Sequence, residues 1–177
     1  ADICAVIDYA KRQGMKPVIA GGDEAWLVAR ELAAAEVPVL LNALDNLPQD
    51  FDRLEARLDN AKLLHEAGVT IAFNGNETHQ ARKNRQLAGN AAAHGLPWEA
   101  ALAAVTSGPA DIFGLGSDYG RIAQGQVADL VLWSGDPLEV TTVAEQVWIA
   151  GKPVEMRSRQ TELRDRYLEI IRSGQQP

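Results

Sequence analysis

The chain has 177 residues, of which 46% are hydrophobic and 23% are charged, a composition that allows one or two soluble domains with a buried core. Its formal net charge of −7 argues against a surface that binds nucleic acid through the phosphates. No apolar run approaches the roughly 20 residues that cross a bilayer. The sequence therefore predicts a cytoplasmic protein without nucleic-acid or membrane partners. The single cysteine, Cys4, is predicted to be a small core residue.

The first 73 residues alternate between predicted helices and short apolar segments. Residues 2–13 carry apolar side chains at helical spacing, and further helices are predicted after Asp23, which can cap one, and over residues 54–67. Three short apolar runs predict buried strands, at 16–20, 37–41 and 69–73. This alternation predicts an α/β fold with a parallel sheet and right-handed crossovers, either an α/β barrel or a doubly wound sheet.

From about residue 80 the predicted helices and strands are no longer interleaved. Helices are predicted over residues 80–94 and from Pro97 onwards, and a charged amphipathic helix is predicted at 159–172. A two-residue period predicts two antiparallel pairs, 121–124 with 128–133 and 144–150 with 153–156. We therefore predict three segments: part of a barrel with its following helices at 1–117, a small β module at 118–156, and a C-terminal helix and tail at 157–177.

Two stretches of the second half carry a family resemblance. The first reads Gly120-Arg-Ile-Ala-Gln-Gly125-Gln-Val-Ala128-Asp129-Leu-Val and is followed by Gly151-Lys152-Pro-Val154. It is similar to the C-terminal signature of the amidohydrolase superfamily, and Asp129 is expected to bond to backbone near a turn. The second comprises Gly89-Asn90-Ala91, Gly95-Leu96-Pro97, Ala100-Ala101-Leu102, Thr106 and Pro109-Ala110. It resembles the segment that follows the eighth barrel strand in that superfamily.

The resemblance implies a fold and a position within it. The chain would be the C-terminal part of a TIM (β/α)8 barrel, about strands six to eight, followed by a small β-sandwich segment and a C-terminal helix. The three predicted strands would be strands six, seven and eight, so that strands one to five would precede Ala1. The open edge of strand six would invite association. We therefore expect a homo-oligomer or pairing with the missing N-terminal part.

The resemblance also implies an activity for the full-length protein. It would be an imidazolonepropionase-like hydrolase that cleaves a C–N bond, other than a peptide bond, in a small-molecule substrate. The attacking water would be activated by a divalent metal, zinc or a similar ion. The family pattern has a histidine ligand at strand six and an aspartate at strand eight. This chain has Gly21 or Gly22 at the first position and Asn74, Gly75 or Asn76 at the second, so no metal ligand is assigned to it.

Candidate site residues follow the predicted strands six and eight. Glu77 and His79 stand beside the end of strand eight, on the face where barrel active sites gather, and we expect them to be catalytic. Asn74, Asn76 and Glu24 are expected to bind substrate. The alternative for Glu77 and His79 is a loop that hydrogen-bonds to itself. The alternative for Asp23 and Glu24 is a helix N-cap and a first-turn acid.

Two further interpretations of the whole chain stay open at this point. The parent protein could be a degenerate barrel that has lost its metal and keeps a binding or structural role, as the glycine and asparagine at ligand positions indicate. Alternatively, the chain could be a free-standing α/β binding module whose tail only resembles the superfamily. The metal content of the full-length protein separates the first of these from a metal-dependent hydrolase.

Overall fold

The computed structural model describes residues 2–48, 50–75, 81 and 83–173. Its contacts divide the chain into two compact units, Ala1–Gln126 with Gly135–Thr142, and Val127–Ser134 with Val143–Pro177. Among the helices in the described residues, none has the length and apolar character that a membrane crossing requires. The elements of the first unit are α1 (Asp2–Gln13), β1 (Ile19–Ala20), α2 (Ala29–Ala34), β2 (Val39–Leu41), α3 (Asn60–Glu66), β3 (Ile71–Phe73), α4 (Asn84–Ala93), α5 (Trp98–Ala103) and α6 (Ser107–Ile112).

A three-stranded parallel sheet in the order β1-β2-β3 organises the first unit. Val39 pairs with both Ile19 and Ile71, and Leu41 pairs with Phe73, so the three strands run in register. The strands are apolar because helices cover the sheet, and the core contains fully buried leucines from several elements, Leu32, Leu41, Leu64 and Leu87. The predicted α/β fold with a parallel sheet is confirmed, as is the first helix.

The predicted helix over residues 54–67 is wrong in its first half. The structure has a short 3-10 helix at Phe51–Arg53 and begins α3 only at Asn60. Leu54 consequently lies outside any α-helix and is 59% exposed. The physical reason is that the backbone at Glu55 bonds to side chains of the preceding βα connection and not to a helical neighbour: its N–H donates to Glu24 and its carbonyl accepts from Trp26.

Asp23 does not cap the helix that follows it, contrary to the sequence prediction. That helix begins as a 3-10 turn at Ala25–Val28, before α2, and the residue at its N-cap is Glu24. The Asp23 carboxylate forms an ion pair with Arg53. The Glu24 carboxylate accepts a hydrogen bond from the backbone of Glu55 and is therefore tied to a different segment of the chain.

The connection 135–142 belongs to the first unit although both of its neighbours along the chain belong to the second. Arg85 in α4 donates to four of its backbone carbonyls, those of Pro137, Glu139, Val140 and Thr142, at 2.8–3.2 Å. Other contacts that hold it are Leu138, which is buried in the core, and the Asp136 carboxylate, which accepts from the Trp98 indole at 2.9 Å. One guanidinium therefore fixes most of this connection.

The second unit contains β4 (Leu130–Trp133), β5 (Ala144–Ile149), β6 (Lys152–Pro153) and α7 (Arg159–Ser173). Its three strands form an antiparallel sheet in the order β4-β5-β6. Residues 150 and 151 connect β5 to β6, and both have positive φ, 49° at Ala150 and 76° at Gly151, as a two-residue hairpin turn of type I′ requires. The predicted antiparallel pair of 144–150 with 153–156 is confirmed in part: β5 pairs with β6, but the turn lies one residue earlier than predicted and residues 154–156 are not in a strand.

The predicted pairing of 121–124 with 128–133 is wrong. Residues 121–124 are all described and form no strand, while β4 pairs with β5, with Leu130 opposite Trp148. The Gln126 side chain closes the segment on itself, since it accepts from the Arg121 backbone and donates to the Gly116 carbonyl. The expectation for Asp129 is confirmed: its carboxylate accepts from the Ala150 backbone at 2.7 Å, at the turn between β5 and β6.

Candidate functional site

The carboxyl ends of the three parallel strands lie along one edge of the sheet, which we call the carboxyl edge. The Gly21 N–H, just after β1, donates to Leu40 in β2, and the Asn74 N–H, just after β3, donates to Leu41 at the end of β2, each at 2.9 Å. The segments that follow β1, β2 and β3 therefore start side by side. In α/β proteins this is the edge at which ligands bind.

The sequence-predicted site residues are only partly placed by the structure. Glu77, His79 and Asn76 lie outside the described residues, so their roles remain predictions. Asn74 is exposed and follows β3 directly, and Glu24 is half-buried in the connection after β1. The Glu24 carboxylate accepts from the Glu55 backbone N–H at 2.7 Å. The two described candidates are thus both attached to strands that end at the carboxyl edge.

A charged cluster that the sequence prediction missed joins two of the strand ends. The Arg53 guanidinium lies 3.3 Å from the Asp23 carboxylate, 3.1 Å from that of Asp45 and 3.4 Å from that of Asp50. Asp23 follows β1 and Asp45 follows β2. We call these four residues the Arg53 cluster. In the sequence, the cluster is indicated only by the polar segment after the second strand, which contains Asp45, Asp50 and Arg53.

Burial and neighbouring charges of both signs act on the pKa of the Asp23 carboxyl. Its side chain is 17% exposed. Burial raises the pKa of Asp23, Arg53 lowers it, and the nearby acids Asp45, Asp50 and Glu24 raise it, so that the net shift is upward. The hydrogen bond from Arg53 to Asp45 in turn raises the pKa of the guanidinium. The cluster therefore places the Arg53 cation among several acids, and the pKa of Asp23 within it is raised above the ordinary aspartate value.

A network of hydrogen bonds joins the connection after β1, at residues 22–26, to residues 55–60. The fully buried Asn60 side chain accepts from the Trp26 N–H at 3.1 Å and donates to the Gly22 carbonyl at 2.9 Å. The Trp26 indole donates to the Glu55 carbonyl at 2.8 Å, and the Arg57 guanidinium stacks over its ring at 4.8 Å. Because these bonds fix the backbone on both sides of Asp23, the position of this carboxylate is set by the fold.

An acceptor without a partner lies near the end of β3. The Asn84 side-chain oxygen, at the start of α4, is buried and has no hydrogen-bond partner among the described residues. It would lie 3.3 Å from a Cβ atom added at Gly75. Buried acceptors usually have partners, so this oxygen is available to a donor that enters beside β3. No sequence pattern predicts this unpaired oxygen.

The described residues of the carboxyl edge do not fit a metal ion. At Gly22, where φ is +74°, an added Cβ would lie 3.1 Å from the Ala25 side chain and 3.2 Å from that of Val39, so a histidine there requires a shift of the core. At Gly21, φ is +94°, which disfavours any side chain. After β3 stand Asn74 and Gly75. Among the described residues there is no group of three or more histidines, cysteines or acids arranged to hold a metal.

Comparisons with known proteins agree on one family. A sequence model of the amidohydrolase family matches residues 78–155. The amidohydrolase tasK from Hapsidospora irregularis is 36% identical over 115 residues, which is 64% of this chain and 12% of that protein. The crystal structure of an amidohydrolase from Thermotoga maritima MSB8 is similar with a TM-score of 0.80 and 31% identity over 88% of this chain and 41% of that one.

A more distant structure shares the fold alone. An adenosine deaminase from Xanthomonas campestris with bound zinc is similar with a TM-score of 0.56 and 21% identity, over 94% of this chain and 46% of that chain. The chain thus spans less than half the length of each of these solved structures. The family match covers the helices after the parallel sheet and the antiparallel strands, and the structural matches extend to the sheet itself. Residues 78–155 therefore match the amidohydrolase family, and the chain as a whole is similar to amidohydrolases over part of their length.

Proposed function

We propose that the chain is the C-terminal part of a hydrolase that cleaves C–N bonds, other than peptide bonds, in a small-molecule substrate. The observation that carries the proposal is the family match over residues 78–155, together with a parallel sheet whose strand ends share one edge. Both the 36% identical relative and the 31% identical structure are amidohydrolases. The imidazolonepropionase-like subgroup and the cytoplasmic location remain predictions from the sequence.

The three parallel strands are proposed to be strands six to eight of a (β/α)8 barrel. Support comes from their parallel order and from the length of the solved relatives, of which this chain covers 41% to 46%. A short parallel sheet leaves backbone groups of its edge strands for pairing with further strands. The remaining strands would come from the N-terminal part of the protein, and the completed barrel would place the carboxyl edge around its active-site mouth.

Glu77 and His79 are proposed to be the catalytic residues, and Asn74, Asn76 and Glu24 to bind substrate. The position of β3 supports this assignment, since residues 77 and 79 follow its carboxyl end within a few residues. Glutamate and histidine can move protons to and from a reacting bond near neutral pH. The unpaired Asn84 oxygen offers a hydrogen-bond acceptor for an N–H or O–H group of the substrate at the same strand end.

Water activation by a divalent metal is proposed only for ligands outside the described residues. The glycines after β1 and the neutral side chain after β3 do not provide the anionic or imidazole ligands that zinc and similar ions take. We therefore derive no step of the reaction through a metal held by the carboxyl edge of β1 and β2.

The test is hydrolysis by the full-length protein of a panel of amides, cyclic amides and related C–N compounds. For a compound that is turned over, Glu77→Gln and His79→Asn are expected to lower kcat by about 10²- to 10⁴-fold, the range for loss of a proton-transfer group. Glu155→Gln is the control, because Glu155 is exposed and its ion pair with Arg157 at 3.6 Å is also exposed. Turnover that both site variants retain would refute the assignment.

A second candidate function is a metal-free barrel with a binding or structural role. The observation that favours it is the packing of Gly22, which leaves no room for a side chain at one of the two positions, Gly21 or Gly22, where the resemblance places a ligand. Metal analysis of the full-length protein separates the two candidates. One or two zinc or manganese ions per chain together with hydrolytic turnover would rule the second candidate out. Absence of bound metal after growth with added zinc and manganese would favour it.

A further inference from the structure

One nitrogen of Arg53 connects the loops that follow two parallel strands. Its Nη1 lies 3.3 Å from Oδ2 of Asp23, after β1, and 3.1 Å from Oδ2 of Asp45, after β2. The Nη1–Asp45 contact is also a hydrogen bond. Nε of the same guanidinium lies 3.4 Å from Oδ2 of Asp50. The Asp23 and Asp45 side chains are 17% and 27% exposed and that of Arg53 is 33% exposed, so water screens these pairs less than it screens fully exposed ones.

Backbone hydrogen bonds of the 3-10 helix Phe51–Arg53 bring Arg53 to this position. Asp50 is the N-cap of the 3-10 helix Phe51–Arg53, and its carboxylate accepts from the Asp52 N–H at 3.1 Å. The Arg53 N–H donates to the Asp50 carbonyl at 3.2 Å. On the other side, the hydrogen bonds of Asn60 fix the backbone at Gly22 and Trp26, which flank Asp23. The guanidinium and the Asp23 carboxylate are therefore presented to each other by their own segments, and their ion pair joins the two loops.

We propose that Arg53 is a positioning residue whose guanidinium is the fixed cation of the carboxyl edge. It joins the loops after β1 and β2 by bridging Asp23 and Asp45, and it occupies the place in which a divalent ion would have to sit to bridge these two carboxylates. This inference goes beyond the proposed hydrolysis and does not depend on it. A guanidinium suits this role because it stays charged at all physiological pH values and offers several donors in a rigid plane.

Because Arg53 joins the loops after β1 and β2, we expect both loops to open more often when its guanidinium is removed. In the full-length protein, Arg53→Met is expected to speed amide hydrogen exchange about tenfold in residues 21–26 and in residues 42–48, because both loops lose their common anchor. Arg53→Lys, which keeps the charge but not the fork, is expected to give a smaller increase. The matched control is Arg121→Met, which removes another partly exposed arginine–aspartate pair of the same unit. Unchanged exchange in Arg53→Met, or an equal increase in both loops with the control, would overturn the proposal.

A titration of Asp23 shows whether Arg53 acts through its positive charge or only through packing. Among the described residues, the charged groups that act on Asp23 are Arg53, Asp45, Asp50 and Glu24, and the positive charge of Arg53 lowers the pKa of Asp23. Carbon-13 NMR of labelled aspartate should therefore show the Asp23 titration shifted upward in Arg53→Met and close to wild type in Arg53→Lys. An unchanged midpoint in Arg53→Met would show that Arg53 only fills space, and the proposal would fail.

The third measurement is the metal content of a double variant that lacks both carboxylates bridged by Arg53. Asp23→Asn combined with Asp45→Asn is expected to leave the metal content of the full-length protein unchanged, because the Arg53 guanidinium lies between these two carboxylates. Loss of one metal equivalent per chain in this variant would overturn the proposal. Metal held elsewhere in the protein affects wild type and variant equally. Failure of the proposed hydrolase activity therefore leaves these three measurements unaffected.

Discussion

At Gly22 the backbone conformation and the side-chain packing impose the same requirement. Its φ of +74° is one that residues with a side chain rarely adopt, and the space that a Cβ would take is bounded by Ala25 and Val39. Gly21 has a similarly positive φ of +94°, but a Cβ added there meets nothing within 4 Å. A side chain at either glycine would therefore strain the backbone, whereas a side chain at Gly22 would also overpack its neighbours.

We expect Gly22→Ala to destabilise the protein more than Gly21→Ala does. Gly21→Ala should lower the free energy of unfolding by about 1 kcal/mol, the cost of a left-handed conformation alone. Gly22→Ala should lower it by about 1–3 kcal/mol more, because the methyl group overpacks the core beneath β2. Urea denaturation of both variants measures the difference. Equal losses would show that the contacts with Ala25 and Val39 relax without cost.

The pair of Asp111 and Arg121 allows a prediction of pH dependence. Arg121 donates two hydrogen bonds to this carboxylate, at 2.9 and 2.6 Å, and lowers the pKa of Asp111. A lowered pKa in the folded state means that the pair stabilises the protein above the ordinary carboxyl pKa of 3.8. This contribution is lost as the pH falls through the folded-state value.

Asp111→Asn is therefore expected to lower the midpoint of urea unfolding at pH 7 and to have a smaller effect at pH 3. The change should be modest because both side chains are nearly half exposed. Glu155→Gln, which removes a longer and more exposed pair with Arg157, serves as the control and should leave the midpoint unchanged at both pH values. A deficit of the Asp111 variant that is as large at pH 3 as at pH 7 would contradict the assigned role of the carboxylate charge.

At the scale of elements, the hairpin β5–β6 combines a favourable and an unfavourable turn residue. Gly151 suits its positive φ of 76°, whereas Ala150, with φ of 49°, carries a side chain in the left-handed region. The Asp129 carboxylate, just before β4, accepts from the Ala150 N–H and so binds this turn from the neighbouring strand. The turn is thus strained at Ala150, and the hydrogen bond to Asp129 stabilises it at the same residue.

Substitutions at these two residues should change stability in opposite directions. Asp129→Ala is expected to lower the free energy of unfolding by about 1 kcal/mol, the usual net value of such a hydrogen bond. Ala150→Gly is expected to raise it by about 0.4–1 kcal/mol, because glycine adopts a positive φ without strain. Thermal unfolding of both variants is the measurement. Destabilisation by Ala150→Gly would show that flexibility outweighs the relief of strain.

The local sequence pattern predicted most of the helices and strands. It predicted few of the pairings between strands. The strand over 69–73 and the helix over 2–13 were predictable because apolar spacing reflects which side of an element is covered. The partner of β4 was not, since pairing depends on Gln126 closing the preceding segment with its side chain. At the site, Asn74 and Glu24 could be placed at strand ends from sequence. Arg53 could not, because its link to Asp23 spans 30 positions and leaves no local pattern.

At the scale of the whole molecule, apolar surface remains uncovered in the first unit. In α1 and just after it, three large apolar side chains are 42% to 53% exposed, namely Val6, Tyr9 and Met15. Within the part of the chain that the structure describes, the parallel sheet has three strands, of which β1 and β3 are the outer ones. Exposed apolar stripes and unpaired strand edges favour association.

We therefore expect the polypeptide of residues 1–177, expressed alone, to self-associate. Size-exclusion chromatography with light scattering at micromolar concentration should give a mass above the 19.1 kDa of one chain. Val6→Lys should reduce the association, whereas Ala5→Lys, an exposed position outside the predicted apolar stripe of the helix, should not. A monomer that unfolds cooperatively would contradict this expectation and favour a free-standing α/β module.

The four carbonyl bonds of Arg85 also bear on the entropy of forming the antiparallel sheet. Trp133 at the end of β4 pairs with Ala144 at the start of β5, so the connection 134–143 must close into a loop whenever these strands pair. Closure restricts the freedom of that chain, at a cost that rises with the logarithm of its length. Once Arg85 has bound residues 137–142, most of this freedom has already been lost. A side chain of α4 therefore lowers the entropic barrier to strand pairing in a sheet to which it does not belong.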